Sequence, residues 1–432
     1  MSGRIRYRIL TAVVATLPSL VAGAQTDGTY SGYSPYSVYG VGNLHGGHSW
    51  QSSMGGVGVA TRNKRFINTQ NPASVTERDS LSFMADFALA GRLSLFSEGN
   101  SKGFTTVFNI DNFVISFPMW RKTALMVGLK PYSDIGYKVS QSYYGDGNTG
   151  ARTFYSAGNG GIYELFIGGG VTLWNRLSLG AQYNYYFGNI NKTASLSFDD
   201  ASFHSVSAGD SLRIHASTAK FGLQYEQPLS AKNSITFGAT YTLAAPMRGN
   251  LIDYSYKNGT MTGREDKTLT SSSGVYFGSE IGAGISFRNA DRLAVEVDYK
   301  LKDWRKSGMD SMRGFSNNGE SGSFTASMGH SVRAGFEFTP GRNDIRYYLR
   351  RCTYRAGAYY EQSYYRVDGK SIDAAGITLG MTLPVFRGYN GVSIGMDLGQ
   401  RGFSGALVKE RYFGFNLSMN VFDIWFQKPR YE

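Results

Sequence analysis

The chain has 432 residues, with 55 glycines, 30 tyrosines, 27 phenylalanines, one cysteine and a formal charge of +12. Mean hydropathy is slightly negative, and no stretch after the leader supplies the roughly twenty unbroken apolar residues a spanning helix needs, which excludes a helical membrane protein. The single cysteine, Cys352, rules out an intramolecular disulfide and a cysteine-based metal site, and reads as a small outward-facing strand residue.

Residues 1–24 have the layout of a secretory signal. Arg4, Arg6 and Arg8 form a charged start, Ile9 to Leu17 a short apolar core, and Ala22-Gly23-Ala24 a small-residue cleavage site. The remaining chain carries +9, scattered through turns without a dense basic run. That distribution favours lipid phosphate over nucleic acid as a partner.

Residues 25–79 do not alternate. They are rich in turn formers, including Gly46-Gly47, Gly55-Gly56 and Asn71-Pro72-Ala73-Ser74. Tyrosine, valine and isoleucine make the stretch too apolar for a disordered tail. Irregular backbone at membrane depth is tolerated only inside protein, so this segment is expected to be a plug within a barrel.

From residue 80 to 432 the period is two. Leu81, Phe83, Ala85, Phe87 and Leu89 open the series, and Phe413, Phe415, Leu417, Met419 and Val421 close it within Arg411 to Phe426. Between them, similar runs bring the number of strands to about fourteen. The intervening faces are small or polar, with Gln182, Asn184, Thr236, Thr240, Glu296, Asp298, Arg333, Glu337, Ser393 and Asp397 placed inward. Charges there would be costly on a lipid face. Short connections near 118–122, 174–176, 227–233, 289–292 and 384–390 alternate with long ones near 141–160, 190–211, 244–275, 303–325 and 400–410. The stretch 339–351 is a longer member of the short set. The pattern is that of an all-β, transmembrane antiparallel barrel in a bacterial outer membrane, with lipid and lipopolysaccharide around it and both termini periplasmic.

Little in the chain points to catalysis. His45-Gly46-Gly47-His48 offers imidazoles without a carboxylate or cysteine at a ligand spacing, and a plain loop accounts for it. Met54 to Ala60 is glycine-rich without a dinucleotide fingerprint. Inward carboxylates such as Glu164 and Glu296 could be acid–base groups, yet barrels carry such charges paired with arginine, and Arg333 and Arg355 are at hand. No cofactor or metal and no enzyme activity are expected.

The third strand breaks its own rule. Leu125 to Leu129 alternates, then Lys130-Pro131-Tyr132-Ser133-Asp134-Ile135-Gly136 follows. Proline cannot donate to a ladder, so the stretch is either the strand's outer end or a kink that opens the wall.

The signal, the N-terminal plug, about fourteen strands and a broken third strand together resemble the FadL-type outer-membrane transporter family. Ser34-Pro35-Tyr36-Ser37-Val38-Tyr39-Gly40, Met54-Gly55-Gly56-Val57-Gly58, Asn71-Pro72-Ala73-Ser74, Lys130-Pro131-Tyr132-Ser133 and Asp423-Ile424-Trp425-Phe426 look like that family's less characterised branch. The resemblance implies passive uptake of a hydrophobic small molecule or lipid, such as a long-chain fatty acid, with plug rearrangement and lateral exit. It places ligand contacts at Tyr36, Tyr39, Phe66, Ile67, Asn71 and Pro72 of the plug. It places the lateral opening at Pro131, Tyr132, Ser133 and Gly136. Some relatives serve instead as subunits of secretion or assembly complexes, so a non-transporting scaffold that binds other outer-membrane proteins is the alternative.

Overall fold

The computed structural model describes residues 32–79, 81–99, 101–120, 122–144, 150–200, 202–312, 324–385, 390–403 and 408–424. The signal segment, residues 25–31, Trp425 and Phe426 lie outside these.

Fourteen antiparallel strands close into a barrel: β1 (Ser82–Glu98), β2 (Ser101–Trp120), β3 (Thr123–Tyr143), β4 (Arg152–Leu173), β5 (Leu177–Phe198), β6 (Val206–Pro228), β7 (Asn233–Thr242), β8 (Ser279–Asn289), β9 (Leu293–Asp303), β10 (Met328–Phe338), β11 (Thr353–Val367), β12 (Lys370–Pro384), β13 (Gly391–Arg401) and β14 (Lys409–Ile424). Each pairs with its sequence neighbours, and β14 returns to β1 from Ser82↔Ile424 to Ser97↔Lys409. Closure removes the sheet edges that hydrocarbon would leave unpaired.

Alternation decides which side faces lipid. On β14, Phe413, Leu417, Met419 and Val421 are exposed while Asn416, Ser418 and Asn420 are buried. The same division runs round the barrel, giving an exposed apolar band that only lipid covers at this extent. Trp120 and Trp174 stand out at the short-turn end, where an interfacial aromatic girdle belongs. Tight turns hold that end. Trp174 and Asn175 adopt φ of +47° and +60°, the left-handed pair that suits a twisted hairpin.

Several segments read as long loops are strand. β4 begins at Arg152, and β5 and β6 extend to Phe198 and back from Val206. Within 244–275, a hairpin of Arg248–Lys257 and Thr260–Leu269 continues the sheet by pairing with the outer part of β6. Polar strand ends beyond the apolar band carry no lipid-facing signal, so composition alone read them as loop. Cys352 also differs from expectation. It is fully buried, not outward, because it ends the short helix Tyr348–Arg351 before β11 starts, with Sγ 3.6 Å from the Tyr348 carbonyl.

Candidate functional site

Residues 32–79 run through the lumen, from the long-loop half to the short-turn rim, and most are buried. Three short 3₁₀ turns, Pro35–Val38, Ser49–Met54 and Pro72–Thr76, give the segment shape. Ser34 and Asn71 cap two of them, accepting from the Tyr36 and Ala73 amides, and each is followed by a proline that needs no donor partner there.

Inward side chains of the wall hold this segment. Asp298 Oδ2 accepts from the Gly58 and Val59 amides at 2.7 and 2.9 Å. Beside it, Glu296 accepts from the Ala60 amide at 2.9 Å and from the Thr61 hydroxyl. Gly55 and Gly56 take φ of +70° and +75°, which lets the loop turn tightly above them. Arg333 donates to the Gly55 carbonyl at 2.9 Å, and Gly55 N donates to Thr378. Toward the short-turn rim, Arg62 pairs with Glu77 at 2.6 Å and Glu226 at 3.2 Å. Of the carboxylates that sequence left open as acid–base groups, Glu296 thus anchors the luminal segment, whereas Glu164 pairs within the wall with Lys130 at 3.6 Å.

The expected break in the third strand is present, and it is larger than one residue. Pairing of β2 with β3 runs from Trp120↔Thr123 up to Phe113↔Leu129 and stops. Above that level, among the barrel strands, β2 pairs only with β1 and β3 only with β4. Two bulges flank the split. On β2 the extra residue is Asp111, between partners of Ala88 and Leu89; on β3 it is Tyr132, between Pro131↔Tyr163 and Ser133↔Ile162. Bulges bend a strand and re-aim a side chain. Here Asp111 turns inward to accept from the Ser49 amide, and Tyr132 packs on Tyr186 at 4.6 Å.

The luminal segment takes the place of the missing neighbour. Asn43 and Leu44 form a two-residue bridge to Asp134 and Ser133. His45 N donates to the Tyr132 carbonyl, and Ser34 N and the Ser37 hydroxyl to the Gly136 carbonyl. Farther out, the Tyr33 hydroxyl engages the Lys138 backbone. From Tyr132 to Lys138 these bonds serve the β3 edge that β2 leaves.

A cavity of about 190 Å³ lies behind the split, with Val107 and Ile110 of β2 at one lip and Pro131 and Ser133 of β3 at the other. Its inner wall is charged: Arg92, Arg333 and Arg401 face Asp134, Asp397 and Glu361. Arg333 pairs with Glu361 at 2.7 Å, and Arg92 lies 4.6 Å over the Tyr412 ring. His45 borders this space and His48 the smaller cavity beside it, each on an aspartate: His45 with Asp134 at 3.3 Å and His48 with Asp111 at 2.9 Å. Burial holds the His48 imidazole below its ordinary pKa, against the opposing pull of the Asp111 carboxylate.

Of the candidates read from sequence, Pro131 and Ser133 line this cavity, and Tyr132 lines a smaller one of about 70 Å³ beside it. Gly136 bonds the luminal segment. The six plug candidates do not line the cavity. Tyr36 and Tyr39 pack at the long-loop end in an apolar cluster with Tyr365, Trp304 and Phe277. Phe66 packs tilted against Trp50, Ile67 joins Met126 and Phe166, and Pro72 sits against Gly180 and Gly222. Asn71 Nδ2 donates to the carbonyls of Val59 at 2.7 Å and Leu223 at 3.2 Å. Replacing Asn71 by alanine should loosen the inner end of the segment by about 1–3 kcal/mol, the cost of stranding buried acceptors. Hydrogen exchange over 56–76 would register this as lost protection with an unchanged barrel. Sequence reading missed Arg92, Arg401, Glu361, Tyr359 and Tyr412; their signal was the inward phase of alternating strands.

A family model described as BamG matches residues 5–432. The chain belongs to the BamG family. No curated protein sequence matches this BamG-family chain. Solved structures share its fold at low identity. The CymD monoaromatic hydrocarbon channel is 14% identical with a TM-score of 0.57, over 88% of this chain and 98% of that one. The toluene transporter TbuX of Ralstonia pickettii is 13% identical with a TM-score of 0.55, over 88% and 98%. A FadL homologue of Pseudomonas aeruginosa is 12% identical with a TM-score of 0.52, over 87% and 98%. The FadL resemblance read from sequence holds for the fold, whereas the family is BamG.

Proposed function

We propose that this BamG-family barrel admits a small hydrophobic molecule across a bacterial outer membrane and releases it sideways between β2 and β3. The observation that carries this reading is the split wall, which opens at Phe113 and Leu129 onto a cavity. The FadL-type fold it shares with a hydrocarbon channel and a toluene transporter supports the same reading. In this scheme residues 32–79 are the plug, the short-turn end faces the periplasm, and release follows when Gly32 to His45 leave the β3 edge. A cavity of about 190 Å³ is below the range of about 300–1,000 Å³ usual for drug-sized ligands, which favours a compact molecule over an extended long-chain acid.

Cells lacking the chain, complemented with wild type or with Ala90→Trp to fill the cavity, would test this. Uptake of labelled toluene should fall at least fivefold in the variant, with heat-shifted mobility of the barrel unchanged. Equal uptake in both strains and in cells lacking the chain would sink the reading.

A second reading is a non-transporting subunit of an outer-membrane secretion or assembly complex. Two observations favour it: the charged lining of the cavity and the BamG family assignment. Native mass spectrometry after gentle extraction separates the two. A solitary barrel with a bound apolar molecule fits uptake, and a stable complex without one fits assembly.

A further inference from the structure

One short-end turn is unlike the rest. Other connections at that end span residues 121–122, 174–176, 229–232, 290–292 and 385–390, whereas β10 and β11 are joined by residues 339–352. The long turn is built. Asp344 Oδ1 accepts from the Arg346 and Tyr347 amides, both at 2.9 Å, and its Oδ2 lies 3.4 Å from Arg350 Nη1. Gly341 N closes the base on the Arg350 carbonyl at 2.8 Å. At its flanks the turn is tied to both neighbouring turns, Arg342 to Asp291 at 2.6 Å and Tyr348 Oη to the Pro384 carbonyl at 3.0 Å.

What this scaffold presents is apolar and basic together. Ile345 is 98% exposed and Leu349 64%. Two guanidinium groups lie against the Tyr347 ring, Arg346 at 5.3 Å and Arg350 at 4.9 Å. Among the described residues, the side chains of Arg346 and Arg351 have no carboxylate partner. We propose that this turn docks an acidic, partly apolar face of a partner protein on the short-turn side of the membrane.

Charge complementarity sets the sign of that partner. Composition separates a protein from a lipid surface. The turn holds four exposed or half-buried arginines, two tyrosines and no lysine. Arginine and tyrosine dominate protein hot spots and lysine is depleted there, whereas a headgroup surface accepts either base. An ordered scaffold also spares the entropy of arranging these side chains on binding. The proposal rests on neither reading of the lumen, since the turn lies outside it.

The test begins with a photoreactive amino acid at Ile345 in the full-length chain, activated in its own outer membrane. A protein adduct is identified by mass spectrometry, purified, and its affinity measured for the barrel in phosphatidylcholine nanodiscs. Ile345→Asp and Arg346→Glu should each weaken binding at least tenfold. Reversing an acidic residue of that protein should restore binding to Arg346→Glu, which a merely structural role would not allow. Unchanged mobility shift on heating shows that both variants fold. Adducts with lipid alone, no adduct, or affinities unaffected by either substitution would overturn the proposal.

Discussion

Replacing Glu296 and Asp298 together by alanine should free the luminal segment while the fourteen-strand ring stays assembled. The two carboxylates lie two residues apart on the inner face of β9 and accept from four consecutive donors, Gly58, Val59, Ala60 and Thr61. Bonds to charged groups are each worth about 1.5–3 kcal/mol, and the variant removes four. Even discounted by half for water that enters the lumen, the loss is about 3–6 kcal/mol, more than a hundredfold in the population of the displaced state. Proteoliposomes should then swell in arabinose much faster than with wild type, and trypsin should reach the buried Arg62 and Arg65. Swelling that stays at the wild-type rate would show that the segment is held by something else.

Trp50→Ala should have an effect of similar size by a different route. Trp50 is 1% exposed, lies 5.4 Å from the Phe66 ring, and donates Nε1–H to the Ile67 carbonyl at 3.0 Å. Arg355 lies over both rings, 5.2 Å from Trp50 and 4.6 Å from Phe66, with its Nε 2.9 Å from Glu337. Truncating a buried tryptophan costs about 3–5 kcal/mol in lost transfer energy and cavity. The variant also uncovers one face of a buried guanidinium. Exchange protection should collapse over 48–67 while β11 and β14 retain theirs. Protection lost uniformly around the barrel would mean that Trp50 supports the wall as well.

The wall was legible from sequence because its physics is local. Phe87 and Leu89, Phe413 and Leu417 each report their face by position alone, and fourteen such runs fix a closed sheet. The outer half of β2 was not legible. The bulge at Asp111 shifts the phase, so Phe104, Phe108 and Ile110 fall out of step with Phe113 and Ile115. Within the lumen, the glycines and the Asn-Pro-Ala turn marked an irregular, buried stretch. Which wall residues would hold it could not be read, since Gly58 and Asp298 are linked across 240 positions. The same holds for the cavity: Arg92, Arg333 and Arg401 sit in correct inward phase on three strands, and only closure of the sheet brings them to one place. Pro131 marked where β3 leaves regular pairing, because a missing donor is a local fact, but a proline reads the same at a strand's outer end as at a kink.

The borrowed edge of β3 also constrains the order in which the molecule is made. Asn43 and Leu44 bond to Asp134 and Ser133 about ninety positions away, and Ser34 reaches Glu410 near the far end of the chain at 2.5 Å. Contacts of such separation form late, because loop-closure entropy is lost before they reward it. A segment threaded past β3, β9 and β14 cannot be inserted easily into a finished cylinder. It must already lie against an open, curling sheet when β14 meets β1, which makes that seam the last stitch. Until then the nascent sheet carries two raw edges and an unsheathed Gly32 to His45. The chain is thus most vulnerable to wrong pairing just before it closes.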